Sequence, residues 1–396
     1  MKPQHPTIRL CALLASSLLL AIIAVAGWGD RSTAAPSHHH HHHHHHGPIV
    51  KTRKIAPGLK YTKIVRRSIP LKTYVLRVDL SKRITLDTTI ADAALPSRRP
   101  LSGIASTHHA LAAVNGDPGE GLGNTVHPFA QDGQLLHTAG PGPNLFAVSR
   151  DESRSFFGVA DVSVTLTDRD TDTEYDVDRW NRGGPAPGEI VGYSPLGGTL
   201  EPPPSYACSA RLLQDGPPEA ANADGVNRDF VVDAVGCSAS PLAMKGGVVI
   251  SAAPATDEAT QLLTLTEGTR MRLHWTLGWP NVFDAVGGYP MLLRDRNAVS
   301  VCDACARQPR TAVGVTANGR ILLVVVDGRS RRSAGVTLGQ LRGILRDLGA
   351  VTAMNLDGGG SSEMVVDGEV VNHPSDGHER HITNAILVLP GADPGE

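Results

Sequence analysis

An apolar run at residues 351–356 (VTAMNL) drives into an acid, three consecutive glycines and two serines, Asp357-Gly358-Gly359-Gly360-Ser361-Ser362. Few features restrict a fold so tightly. The run reads as a buried strand. The glycines give up side-chain packing and open backbone conformations closed to other residues. Successive amides in such a turn can form a concavity that binds anions, and Asp357, at the mouth of the strand, projects into the same space. The pattern is not a phosphate-binding P-loop, since GxxxxGK[ST] is absent and no helix is expected to follow. It is not a nucleophile elbow either, because residues 359–363 do not fit GxSxG.

Other polar clusters stand at the ends of apolar runs. Asn115-Gly116-Asp117 follows Ala113-Val114, Asp327-Gly328-Arg329 follows residues 324–326, and Arg310-Thr311 opens a strand. Residues 372–380, from Asn372 to Arg380, form a polar turn between two apolar stretches. Loops that gather polar residues at sheet ends are where sites are built.

The final third is the most regular part of the chain. Residues 311–316 and 320–326 read as strands of a hairpin joined by a type I′ turn at Asn318-Gly319. Thr337 is placed to cap a helix over 338–348 with Leu338, Leu341, Leu345 and Leu348 on one face, and Gly349 suits its end. Residues 364–366 and 369–371 form a second tight hairpin around Asp367-Gly368. Upstream, strands are expected at 74–80, 84–89 and 145–148, a helix over 101–112, and a hairpin over 161–178. That last hairpin carries alternate acids, but a calcium loop would need Gly and Glu where Thr173 and Arg179 stand. The Pro- and Gly-rich stretches 183–204 and 214–227 read as long loops, and Gly287-Gly288 as a turn between apolar flanks. No repeat period runs along the chain.

The 396 residues carry a formal net charge of −2 and only 4% aromatics. No global field attracts nucleic acid, and the core must be built mainly from Ala, Val and Leu. Lys2 and Arg9 precede an apolar run over 10–26, and Thr33-Ala34-Ala35 offers small residues for cleavage. That is the pattern of a secretory signal peptide, assigned to residues 1–35. No second apolar span of membrane length follows. The nine histidines at 38–46 cannot pack a core, and residues 36–70 read as a disordered, basic lead-in. Cys208, Cys237, Cys302 and Cys305 are an even set in an exported chain, which reads as two disulfides, with Cys208–Cys237 and Cys302–Cys305 favoured by proximity. No metal or cofactor is expected: there is no second CxxC beside Cys302-Asp-Ala-Cys305, and His378-Glu379-Arg380-His381 lacks the HExxH spacing.

Several segments stand in a telling order: Arg310-Thr311-Ala312-Val313-Gly314, Asp327-Gly328-Arg329, Gly335-Val336-Thr337, NLDGGGSS at 355–362, and Asn372-x-Pro374-Ser375-Asp376-Gly377-x-Glu379-Arg380. Together they resemble the phosphodiester glycosidase family, densely over 283–389 and more thinly at 113–116 and 287–292. The family places a glycine and an aromatic pair after Asn115-Gly116, where this chain has Asp117-Pro118. Glu363 also stands where a small residue is usual and is assigned no catalytic part.

The resemblance implies hydrolysis of a sugar-1-phosphodiester. The phosphate-linked glycan would be the substrate, held in a single large catalytic domain over 71–396. An oxocarbenium-like transition state with a phosphate leaving group needs a cationic clamp and a carboxylate near the anomeric carbon. Arg310, Arg329 and Arg380 are the candidate clamp, with donors from Gly358, Gly359, Gly360 and Ser361. Asp357 is the first candidate carboxylate and Asp327 the second. Ser361, Ser362, Asn115 and Asn372 would hold hydroxyls or phosphate. The competing readings are a non-catalytic module binding glycan phosphate and a conventional glycosidase. The expected fold is α+β, a mixed, largely antiparallel sheet with a few flanking helices.

Overall fold

A computed structural model describes residues 47–138, 144–198, 207–216 and 225–391. The expected signal peptide and the histidine run lie outside these residues. Among them the architecture is mostly β: four sheets of five to eight strands and one two-stranded ribbon, with only three α-helices. The α+β expectation is therefore corrected toward an all-β scaffold. The reason is visible in the helices themselves. Leu101–Thr107 is shorter than expected, because His109 takes a left-handed φ of 52° and the chain turns into the Ala112–Asn115 strand. Strand pairing is antiparallel throughout the described pairs, except between Arg179–Trp180 and Ile190–Tyr193.

One eight-stranded sheet forms the first layer. At its centre lie Leu71–Val78, Ile321–Val326, Arg310–Thr316 and Ala350–Asn355, hydrogen-bonded in that order. One face receives the Leu338–Asp347 helix, whose Leu341, Ile344 and Leu345 pack on Val75, Leu322 and Val324. The expected capping box is present, with Thr337 Oγ1 accepting from the Gln340 N–H. The other face packs Tyr74, Leu76, Leu323 and Met354 against Leu86, Val114, Met364 and Ile386 of a five-stranded sheet. Strands buried on both faces explain the unbroken apolar run at 321–326.

The hairpin at 310–326 forms, but one residue off the register that a two-residue turn at Asn318-Gly319 sets: Val315 pairs with Ile321 and Gly314 with Leu322. Its turn differs: only Gly319 of the Asn318-Gly319 pair has positive φ (76°), and its N–H donates to the Thr316 carbonyl at 2.9 Å. Thr316 Oγ1 donates to Asn318 Oδ1 at 2.6 Å, which ties Asn318 to the strand end.

Residues 49–66, expected within a disordered lead-in, form a hairpin that extends the first layer: Ile49–Ala56 pairs with Leu59–Arg66, and Leu59–Arg66 with Leu71–Val78. Lys51 and Lys54 are exposed charges on the edge strand Ile49–Ala56, a common defence against edge-to-edge association. The two favoured disulfides, Cys208–Cys237 and Cys302–Cys305, are both closed. A second eight-stranded sheet, built from residues 163–276, surrounds its own core of Leu166, Trp180, Ile250 and Trp275. Within the 183–204 stretch, expected as loop, Ile190–Tyr193 is a fully buried strand of that sheet.

Candidate active site

The glycine turn is the crossing point between the two packed layers. The chain leaves the first sheet at Asn355, passes through Asp357–Ser362, and enters the second layer as the Met364–Val366 strand. It is fastened from both sides. The Leu356 N–H donates to Thr311 O at 2.9 Å and the Asp357 N–H to Gly116 O at 3.0 Å. The expected amide nest is not what the turn provides. Gly358 N–H donates to Asp357 Oδ1 (2.8 Å), Gly359 N–H to Pro309 O (3.0 Å) and Ser361 N–H to Gly358 O (3.3 Å). These amides are spent on holding the turn, which tightens into a single 3₁₀ turn over Gly359–Ser361.

The glycines are needed for another reason. Each faces one arginine. A Cβ on Gly358 would lie 3.7 Å from Arg310 Cδ, one on Gly359 would lie 3.1 Å from an Arg329 guanidinium nitrogen, and one on Gly360 would lie 2.1 Å from an Arg380 nitrogen. Gly359 and Gly360 thus leave room for the guanidinium groups of Arg329 and Arg380, whereas a Cβ on Gly358 would first meet Pro309 O at 3.1 Å, with Arg310 in ordinary contact beyond it. Arg310 is half-buried, and its Nε has no hydrogen-bond partner. Burial draws its pKa below the usual guanidinium value. Arg329 sits at a left-handed φ of 56°, costing about 1–2 kcal/mol for a side chain of L configuration. Its Nε donates to Gln308 Oε1 at 2.7 Å. Arg380 donates two nitrogens to Asp376 Oδ2, at 3.0 and 2.6 Å, and Asp376 Oδ1 stands 3.8 Å from Arg329.

Asp357 opens onto a cleft of about 230 Å³ lined also by Arg98, Asp117, Ser361, Arg380 and Thr383. Burial raises its pKa above the ordinary aspartate value. Hydrogen bonds from Ser361 and the Gly358 N–H oppose that rise, Asp117 adds to it, and Arg380 opposes it. A carboxylate less willing to ionise than usual is a better proton acceptor near neutral pH.

The other expected residues divide. Ser361 lines the cleft beside Asp357. Ser362 is buried, and its Oγ has no partner. Asp327 does not line the cleft. It is 3% exposed, and its oxygens accept from Tyr74 Oη (2.9 Å), Asn372 Nδ2 (3.3 Å) and the His373 N–H (2.9 Å). Its carboxylate accepts from three donors and anchors the 372–380 segment. Asn372 is likewise occupied, donating to Ser362 O at 3.0 Å and accepting from the Met364 N–H at 2.9 Å. Asn115 lines the cleft, but its side chain is spent on the turn: Nδ2 donates to Asp357 O, and Oδ1 accepts from Thr311 Oγ1 and the Glu363 N–H. These three side chains are tied into the framework around the turn.

One pairing is absent from the sequence reading. Asp117 is buried, accepts from the Val126 and His127 amides at 2.9 Å each, and bonds the His127 ring through Nδ1. Burial opposes charge on His127, but the Asp117 carboxylate outweighs it, and the net pKa is raised. The Asp117–His127 pair shares the cleft region with Asp357, and Asp117 in turn contributes to the raised pKa of Asp357. The Asp117-Pro118 departure and the ten-residue reach to His127 carried the only sequence signal for it. Among the described residues no group of three or more His, Cys, Asp or Glu side chains is placed to hold a metal ion.

Residues 220–389 match the phosphodiester glycosidase family. Over 86 residues the chain is 37% identical to the SPbeta prophage-derived uncharacterized protein YomE of Bacillus subtilis, a stretch covering 22% of this chain and 13% of that protein. Over 67 residues it is 40% identical to mouse N-acetylglucosamine-1-phosphodiester alpha-N-acetylglucosaminidase, covering 17% of this chain and 13% of that protein. The matched stretches thus span a small part of the length of these curated relatives. The fold is shared with a hypothetical protein from Synechocystis (TM-score 0.65, 22% identity, 86% of this chain and 64% of that one).

Proposed function

We propose that this chain, whose residues 220–389 match the phosphodiester glycosidase family, hydrolyses the bond between a sugar anomeric carbon and a phosphodiester oxygen. The observation that carries the reading is the row of Arg310, Arg329 and Arg380 seated on three successive glycines, directly after an acid that faces a cleft.

In this reading the phosphate lies along the guanidinium row and the sugar enters the cleft. Asp357 takes a proton from a water that attacks the anomeric carbon. The carbon–oxygen bond breaks, and its electron pair stays on the phosphate, whose charge the arginines stabilise. The phosphate leaves without needing a proton, so the site needs no strong general acid. The products are a reducing sugar and a phosphomonoester. Asn115, Asn372 and Asp327 hold the geometry, and Asp117 with His127 sets the charge around Asp357. We place the protein outside the cytoplasm, on its two closed disulfides and the secretory pattern at its N-terminus. An envelope or extracellular glycan is then the accessible substrate.

Incubating the purified protein with a panel of sugar-1-phosphodiesters and measuring free reducing sugar tests the proposal. Release from at least one phosphate-linked substrate, with none from the matching neutral glycoside, is expected. Binding of a sugar phosphate with no release would favour a non-catalytic module instead.

A further inference from the structure

Behind the glycine turn lies a second cleft of about 390 Å³, lined by Lys63, Lys72, Tyr74, Arg331, Arg332 and His373 among others. No carboxylate lines it. Asp327, which touches its floor through Tyr74 and His373, already accepts from three donors. Among the described residues none of the four lysine and arginine side chains here is ion-paired. In a chain of net charge −2, this is a local excess and not part of a uniformly basic surface.

The backbone that carries these cations is fixed. Ser330 and Ser333 exchange backbone hydrogen bonds at 3.1 and 3.2 Å, so Arg331 and Arg332 form the tip of a closed turn. That turn is strapped to the neighbouring strand: Ser333 Oγ donates to Asp327 O at 2.6 Å and accepts from the Lys72 N–H at 3.1 Å. Lys63 Nζ stands 5.2 Å over the Tyr74 ring, a cation–π contact that holds the ammonium against the cleft wall. Like charges fixed together are unfavourable without a counter-ion, so the arrangement favours an anion with several negative groups.

The cleft adjoins the candidate active site. The loop that carries Arg331 and Arg332 begins with Arg329, which lies against Gly359. Asn372, on the cleft wall, donates to the carbonyl of Ser362 in the glycine turn. We propose that this basic cleft binds a second phosphate of the same substrate, so that the substrate is a glycan chain with repeated phosphate groups and not a single sugar phosphate. This rests on the phosphodiesterase reading above and names its substrate class.

The test uses the full chain and the variant Lys72→Gln/Arg331→Gln/Arg332→Gln, none of whose side chains touches the proposed reaction centre. In the first arm, inorganic polyphosphate is titrated into both proteins. The variant is expected to bind at least about tenfold more weakly, as loss of charge-assisted contacts predicts. In the second arm, both hydrolyse a sugar-1-phosphodiester with a neutral aglycone and an oligomer of several phosphate-linked units. The variant should match wild type on the first and lose at least about tenfold in kcat/KM on the second. Equal polyphosphate binding by the two proteins, or no preference of the wild type for the oligomer, overturns the proposal. Tighter binding of a single-stranded oligonucleotide than of polyphosphate overturns the glycan assignment in favour of nucleic acid. If neither substrate is hydrolysed but the variant loses polyphosphate binding, the hydrolase reading fails and the anion cleft stands.

Discussion

Asn115, at the end of one layer, donates its side-chain amide to the backbone carbonyl of Asp357, in the turn that leaves the other, at 2.9 Å. The same side chain accepts from Thr311 Oγ1 at 2.7 Å and from the Glu363 N–H at 3.1 Å. One buried amide thus ties together three segments around the candidate carboxylate. Asn115→Ala leaves a buried carbonyl and a buried N–H without partners, each costing about 1–3 kcal/mol. Denaturant unfolding should show a loss of about 3 kcal/mol, and hydrolysis should fall at least about tenfold as Asp357 loses its placement. Unchanged stability would mean the turn does not depend on this bridge.

Asp357→Asn keeps the shape of the side chain and removes its basicity. The variant should fold normally by circular dichroism and lose about a hundredfold or more in kcat, the usual scale for a positioned acid or base. Because the pKa of Asp357 is raised, wild-type kcat/KM should fall as pH drops through a value above the ordinary aspartate range and should plateau above it. A profile flat down to ordinary aspartate values would remove Asp357 from the proton transfer.

The glycine–arginine contacts make two alanine substitutions diverge. A Cβ on Gly360 would sit 2.1 Å from both Arg380 and Asp376, so Gly360→Ala must push that pair aside. KM for the phosphodiester should rise at least about tenfold, equivalent to about 1.4 kcal/mol of binding. Gly343, in the middle of the helix on the first layer, has nothing within 4 Å of its Cβ position. Gly343→Ala should gain about 0.5–1 kcal/mol of stability and leave catalysis unchanged, as thermal unfolding and steady-state kinetics would report.

Glu363 is 0% exposed, and burial, with the neighbouring Glu379 second, raises its pKa to about 8. A carboxyl whose folded pKa is raised stabilises the protein in its protonated form. That contribution is full below the ordinary glutamate pKa and is lost as pH rises toward about 8. The slope of stability with pH from this group is at most about 1.4 kcal/mol per unit. Glu363→Gln cannot ionise, so the difference in unfolding free energy between variant and wild type should shift in the variant's favour from pH 5 to pH 8. A pH-independent difference would mean the carboxyl is ionised in the folded chain.

Local rules made part of this molecule legible. The hairpin at 310–326 and the capped helix after Thr337 are set by residues within a few positions of one another, and both formed near the expected bounds, although the hairpin's turn is not the expected one. Strand-end clustering of Arg310, Asp327 and Asp357 was also readable, since antiparallel neighbours bring those ends to one edge of the sheet. Which of them faces ligand was not. Asp327 and Asn372 look like site residues in sequence, and only the structure shows how many of their hydrogen bonds go to Tyr74 and to the Met364 and His373 amides. The role of the glycines was misread for the same reason. A triple glycine announces close approach but does not say to what, and the answer lay in side chains from 310, 329 and 380. The 49–66 hairpin escaped because edge strands tolerate the charge that, in isolation, signals disorder.

Asp376 contacts both Arg329 and Arg380 at the mouth of the site. Two positive groups therefore share one negative companion before any ligand arrives. Under the proposed reaction an incoming phosphate would compete with that companion, so capture would be an exchange of one anion for another, with tightness set by the margin between them. In that reaction the same exchange would run backwards after bond cleavage: the resident carboxyl would reclaim both guanidiniums and help displace the phosphorylated product.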